Sequence, residues 1–415
     1  MIFHKKSLKK TGGGDLAIFC LTLQEIAFSM KSPCLLPCLL LLFAAVSCVY
    51  DFHPDWQGQA GFVAIEGDIL VGDTSRFEVR FSTDLEDPKN SGAPLSYVLR
   101  VEAGDGTVYL LQDSIVDLTM ASLTQEYRLV VEVQSPFRRT YASDWAPVQV
   151  TPQIDSLSWS VESDGSKMWV NVSTSAEGSG GYYRWTASET WEYHATYYAS
   201  HFFAPAGTVY GGRRLDYDSI VEYVDGDNTY YCWKSAERSD ILVGSTKELA
   251  EDRLVDYGVY AFTPEDRRVS DVYFVDLTQI RLTEEAYRFW ETERNNSSNV
   301  GGLLSPEPSE VRGNIVNVDD PDELVLGYVS VATCTRATLF IDNYTTLFSR
   351  WKGSSYNIVY PQTQSDWWRY YGWQYRVGWW DENERAYSWL PGECVDCRFS
   401  GGTKDRPSWW INDDK

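Results

Sequence analysis

The sequence predicts a mainly-β protein: an N-terminal immunoglobulin-like β-sandwich, followed by a second, elaborated β-domain that carries one α-helix and an aromatic-rich C-terminal segment. Three observations predict it. Apolar residues alternate with polar ones in several short runs, Asp-Gly pairs separate some of these runs, and one stretch alone has helical caps.

The first region spans 62–150. Phe77, Val79 and Phe81 alternate with Arg76, Glu78 and Arg80. Tyr97, Leu99 and Val101 form a second period-2 run, and Asp105-Gly106 turns the chain into Thr107–Leu110. Tyr127, Leu129, Val131 and Val133 form a third. About 90 residues of short strands suit an immunoglobulin-like module. Thr151-Pro152 marks a boundary, and the second region runs over 151–415. There Leu157–Val161 and Met168–Val172 flank Asp164-Gly165, and Tyr183, Trp185, Ala187, Glu189 and Trp191 share one face of a longer strand. Residues 204–268 read as polar and turn-rich, apart from strand around Tyr230–Trp233.

A helix is expected over 283–294. Thr283 can cap it, Glu284 and Glu285 complement its dipole, and Leu282 with Tyr287 can form a hydrophobic staple. Val325–Val331 and Ala337–Ile341 resume as strands. Gly313-Asn314 and the segment with Pro306 and Pro308 read as a fixed loop in which glycine allows positive φ or close approach. The tail from Tyr356 reads as loop-like.

The N-terminus carries an export signal. From Met30 a single lysine, a 12-residue apolar run over Leu35–Val46 and small residues lead to Cys48. A membrane span needs about 20 residues, so this run is a signal and not a span. Ala45-Val46-Ser47-Cys48 resembles the lipobox of bacterial lipoproteins, in which the cysteine is lipidated. The expected organisation is a mis-annotated upstream extension over 1–29, a lipoprotein signal peptide over 30–47 and a tether over 48–61.

Charge excludes one class of partner. Removing residues 1–47 takes away five lysines and two acids, moving the net charge from −23 to −26. So acidic a chain lacks the basic patch that nucleic acid demands. Membrane attachment is left to the lipid. Cys232, Cys334, Cys394 and Cys397 remain besides Cys48. In an oxidising compartment they suggest two disulfides with three connectivities open. The short loop between Cys394 and Cys397 favours that bridge, with Cys232–Cys334 as the second.

Catalytic signatures are sparse. There is no Gly-x-Ser-x-Gly, no His-Glu-x-x-His and no Walker loop. His53, His194 and His201 are the histidines beyond Cys48, and packing or surface roles suit the last two. No metal and no cofactor is expected. The distinctive stretch is Trp367–Trp389, where ten of 23 positions are Trp or Tyr. Trp367, Trp368, Tyr370, Tyr371, Trp373, Arg376, Trp379 and Trp380 are candidates for a binding surface, since Trp, Tyr and Arg are enriched at hot spots. The same rings could instead roof the second β-domain.

Longer motifs carry a resemblance. "LTQIRLTEEAYRFWE", "GGLLSPEPSEVRGNIVNVDDPDELVLGYVSVA" and "RATLFI" over 277–341, "YYRWTASETWEY" from Tyr182, "YYCWKS" from Tyr230 and "CVDCRFSGGTKDRPSWW" near the end resemble the domain-of-unknown-function 4249 family of exported bacterial lipoproteins. Cys334 departs from that pattern. The resemblance implies an outer-membrane, surface-exposed lipoprotein partnered with a TonB-dependent receptor. The expected function is a non-enzymatic accessory or ligand-capture subunit, with a glycan or peptide as possible ligand. The alternative is an extracellular hydrolase acting on glycans or peptides, which would need a convergent acid pair beside the aromatic segment.

Overall fold

Alternation along the chain is realised as two β-sandwiches with separate cores. The computed structural model describes residues 63–81, 96–112, 115–135, 138–177, 180–224, 227–298, 312–353 and 356–410. The signal-like segment, Cys48, the tether and the Pro306–Pro308 stretch lie outside the described residues. Every described residue lies within the compact unit Ala60–Lys415.

In the first sandwich, Val63–Glu66 lies between Glu78–Phe81, antiparallel, and Val325–Leu326, parallel. The other sheet runs in the order Ile315–Asn317, Arg139–Ser143, Glu126–Ser135, Ser96–Ala103, Val108–Leu110. Val63, Ile65, Val79, Leu99, Val101, Leu129 and Val131 fill the space between them, all inward-facing members of period-2 runs. Ile315, Val325, Val329 and Val331 belong to the same core. The boundary at 150 therefore does not bound this sandwich: residues 315–332, read as part of the second region, complete it. Ile69–Leu70 also pairs, in parallel, with Val331–Ala332.

This return is fixed by close backbone contact. A Cβ on Gly313 would lie 1.7 Å from the Gly327 carbonyl oxygen, and one on Gly327, at φ +114°, would lie 2.0 Å from that of Ile65. Close approach, not positive φ, is what Gly313 supplies. Beside it the Asn314 side chain acts as a strand partner: its Nδ2 donates to the Val329 carbonyl at 2.8 Å, and its Oδ1 accepts from the Val329 amide at 2.9 Å.

The second sandwich sets Ile154–Val161, Met168–Ser175 and Arg253–Phe262 in one sheet. The other has the order Tyr231–Glu237, Tyr182–His194, Val272–Arg281, Cys334–Asp342. Their shared core includes Val170, Val172, Tyr183, Trp185, Phe262, Val275 and Leu277. The inward face of Tyr182–His194 carries Glu189, 2 % exposed. Its carboxylate accepts from Arg238 at 2.5 Å, Tyr273 Oη at 2.6 Å and Arg268 at 3.1 Å. Arg238 also lies 3.9 Å over the Tyr260 ring. Residues 204–268 are thus not mainly turns: Arg253–Phe262 is a core strand. Its alternation is broken by bulges and by Asp256 at φ 46°.

The expected helix is present as α1, Glu284–Ser298. Thr283 Oγ1 accepts from the Ala286 amide at 3.2 Å. Leu282 and Ala286 pack with Val243, Ile280 and Ala332, and Leu70 and Tyr287 border that cluster. The helix thereby covers the seam where first-sandwich residues meet the second.

The cysteines depart from expectation. Cys232 is bonded to Cys397, and Cys334 and Cys394 are free thiols. Cys397 faces the second-sandwich core beside Cys232, whereas Cys394 turns to a different cluster with Ala199, Leu390 and Val395. Neighbours in sequence thus face different cores, which overrides the short loop. Cys334 donates from its thiol to Asp73 at 3.1 Å. Burial pushes both free thiols up to about 11. Since only the thiolate reacts, alkylation of the folded protein at pH 8 should be slow and should accelerate as pH rises toward 11. After denaturation without reductant, peptide mapping should find Cys334 and Cys394 alkylated and Cys232 and Cys397 unmodified. Rapid labelling of Cys394 at pH 8 in the native state would contradict its burial.

Candidate functional site: an aromatic cleft

Residues 356–410 are not loop-like. Thr363 accepts from the Asp366 amide and starts α2, Gln364–Gly372. Trp373 and Gln374, the latter at φ 63°, turn the chain into the hairpin Tyr375–Asp381 with Ala386–Pro391. The single turn Gly392–Val395 and a 3-10 turn, Cys397–Ser400, follow. The Cys394-x-x-Cys397 stretch is therefore helical on either side of an extended Asp396. The Cys232–Cys397 bond ties this layer to the edge strand of the second sandwich.

A second hairpin, His201–Ala204 with Ser219–Glu222, supplies the layer's centre. Phe203 sits 5.3 Å from the Tyr371 ring, 5.2 Å from Trp368, 5.7 Å from Trp389 and 6.2 Å from Trp367. Phe203, Val377 and Trp389 are buried, with Trp367, Tyr370, Tyr371 and Tyr375 packed against them. Trp379 packs in the neighbouring cluster with Leu390 and Cys394, 5.9 Å from Tyr197. The candidate residues thus divide. Trp367, Tyr370, Tyr371 and Trp379 are half-buried. Trp368, Trp373 and Trp380 keep 45, 62 and 40 % of their surface exposed. Trp368 is oriented by an Nε1 donation of 2.7 Å to Asp218.

Arg376 is held differently from Arg398. Its guanidinium lies 4.3 Å over Tyr371 and 4.9 Å over Phe399. Nη1 donates to the Tyr375 carbonyl at 2.8 Å. Among the described residues no carboxylate reaches it. Arg398 instead forms a bidentate pair with Asp396, at 2.7 and 2.9 Å. These side chains and Phe399 line a surface cleft of about 410 Å³. A smaller chamber of about 160 Å³ shares Tyr371, Arg376, Asp396 and Arg398, and adds Phe202, Phe203, Tyr223, Val377 and Val395. Asp396 is the single carboxylate among these lining residues.

His194 and His201 lie apart from this cleft's lining. His194 Nδ1 is 2.8 Å from Asp271 Oδ2, with its ring against Tyr230 and Trp351. Ser270 donates to Asp271 and not to the ring, so the order of a Ser–His–Asp relay is not formed. His201 Nδ1 is 2.9 Å from Ser200 Oγ, and burial pushes its pKa down. Among the described residues no group of three His, Cys, Asp or Glu could hold a metal ion.

Residues 49–338 match the profile of a family described as Domain of unknown function (DUF4249). The chain belongs to the DUF4249 family. No curated protein matches it. The DUF4249 match covers both sandwiches up to the strand Cys334–Asp342 and stops there. The C-terminal motif from Cys394 and the whole aromatic layer after Tyr356 lie beyond it. The cleft is therefore carried by residues outside the DUF4249 match, apart from Phe202, Phe203, Tyr223 and their neighbours. Phe203, Asp396, Arg398 and Phe399 were not legible as site residues. The aromatic density from Trp367 was the available signal, and nothing local links it to residue 203.

Proposed function

We propose that this protein is a non-enzymatic accessory or ligand-capture subunit of a TonB-dependent transport system. It is held at the outer membrane, facing the cell exterior, by lipid on Cys48. The observation that carries the reading is the division of the aromatic layer. One set of rings builds a small core, and that core leaves Trp368, Trp373 and Trp380 exposed, with Trp368 6.0 Å from Tyr371 of the cleft lining. Exposed aromatics and a concave site in one layer are what binding surfaces offer. The signal-like run before Cys48 and the family membership support export, and lipid would confine the protein and a receptor to one membrane, raising their effective concentration.

Trp373 and Cys48 provide the tests. Because Trp373 is mostly exposed, Trp373→Ala should change stability by no more than about 1 kcal/mol, yet reduce co-purification of the receptor or retention of glycan or peptide ligand. Cys48→Ala should abolish labelling by a fatty-acid probe and release the protein from membranes. Membrane retention of Cys48→Ala, or unchanged binding by a folded Trp373→Ala, would count against the proposal.

A further inference from the structure

Charge, ring stacking and cavity size in the cleft point to one ligand chemistry. Arg376 and Arg398 contribute two cations and Asp396 one anion, so the lining carries an excess positive charge in a chain of net charge −23. Asp396 is consumed by three bonds from Arg398, two from the guanidinium and one from the backbone amide. Arg376, a lining residue of the cleft, is held by two ring faces and by backbone carbonyls through Nη1, which leaves Nε and Nη2 without a hydrogen-bond partner among the described residues. A planar guanidinium already oriented by its surroundings suits bidentate capture of a carboxylate at low entropic cost.

The chamber lining is mixed: Tyr223, Thr229, Tyr371 and the Asp396–Arg398 pair stand with a set of buried apolar residues. Ala199, Phe203, Val377 and Val395 are each no more than 5 % exposed. Among the polar lining residues, Thr229 spends its hydroxyl on the Val395 carbonyl at 3.2 Å, and Asp396 and Arg398 hold each other. A volume of about 160 Å³ is close to that of a known apolar protein cavity of roughly 150 Å³ that accepts benzene.

We infer that the cleft binds an organic carboxylate bearing one ring or apolar group of about benzene size, with Arg376 holding the carboxylate and the chamber taking the ring. This names a ligand class for the capture role proposed above and rests on that reading for its biological meaning. Tyr371 and Phe399 flank the guanidinium, so binding excludes water from the ion pair and strengthens it.

The test is calorimetry on the full chain with phenylacetate, benzyl alcohol and acetate. Phenylacetate should bind saturably, and on the order of tenfold or more tightly than either analogue, the first lacking the charge and the second the ring. Arg376→Gln should bring phenylacetate down to the level of benzyl alcohol while leaving benzyl alcohol unchanged. The ligand series needs no variant, so it decides the matter even if Arg376→Gln fails to fold. Equal binding of phenylacetate and benzyl alcohol, or no saturable binding at millimolar ligand, overturns the inference. N-acetylphenylalanine binding more tightly than phenylacetate would assign the carboxylate to a peptide C-terminus, and the reverse to a free acid; both uphold the site. Receptor co-purification is read separately. Binding of phenylacetate without co-purification would sink the transport role and leave the ligand class standing.

Discussion

Glu189→Ala should destabilise the protein by about 3–5 kcal/mol, because it strips a buried guanidinium of its main partner. Arg238 and Glu189 are 4 and 2 % exposed at their side chains. Without the carboxylate, the one ion pair left to Arg238 is with Asp240, which is itself largely exposed, beside its stacking on Tyr260, and the Tyr273 hydroxyl loses its carboxylate acceptor. Burial and the nearby carboxylate push Tyr273 far above the usual tyrosine range, so it remains a neutral donor at any physiological pH. Arg268 loses less, since Asp266 holds it at 2.7 Å. Denaturant unfolding measures the loss directly. Replacing both partners, as Glu189→Leu with Arg238→Met, should recover most of it, because the isolated charge and not the missing attraction carries the cost. A single-variant loss below about 1 kcal/mol would mean that water reaches the network.

The second large effect concerns the Cys232–Cys397 bond. It closes a loop of 165 residues, and the chain-entropy account gives about 5 kcal/mol for a loop of that length. Cys397→Ala should lower the unfolding midpoint accordingly, and a reductant should do the same to the parent but not to the variant. The variant should also loosen the aromatic layer first. The Tyr193 hydroxyl donates to the Cys397 carbonyl at 2.9 Å, and the Trp233 and Thr403 backbones bond each other. Loss of Trp fluorescence anisotropy before the global transition would report that local release. A reductant effect of equal size in Cys397→Ala would locate the responsible disulfide elsewhere.

Legibility from sequence followed locality. Tyr183, Trp185, Ala187, Glu189 and Trp191 were readable as one strand face because strict alternation needs no knowledge of partners, and all five are buried. The α1 cap was readable for the same reason. Arg253–Phe262 was not, since its register shifts where Asn171 meets Gly258 and a bulge erases the period. The parallel pairing of Val63 with Val325 has no local signature at all. In the cleft, the density of rings was plain, and Thr363 before Asp366 was a cap that could have been read. Which rings would face outward depends on Phe203 and the Ser219–Glu222 hairpin, far away in sequence. The cysteine pairing failed for a related reason: separation along the chain says little when Cys394 and Cys397 face different cores.

The strand return at 315–332 has a consequence for how such a chain matures. Asp68 accepts from the Ser330 amide across 262 positions, and Val63–Glu66 has no neighbour on that edge until Val325 arrives. A polypeptide emerging N-terminus first would expose an unpaired strand edge while more than half of its length is still to come. The first sandwich is begun early and finished late, with the whole strand set from Ile154 to Arg281 formed in between. Its folding is therefore expected to be slow and governed by this long closure, so a chaperone that shields open strand edges would act on the interval before residue 325 and have little to do after residue 332.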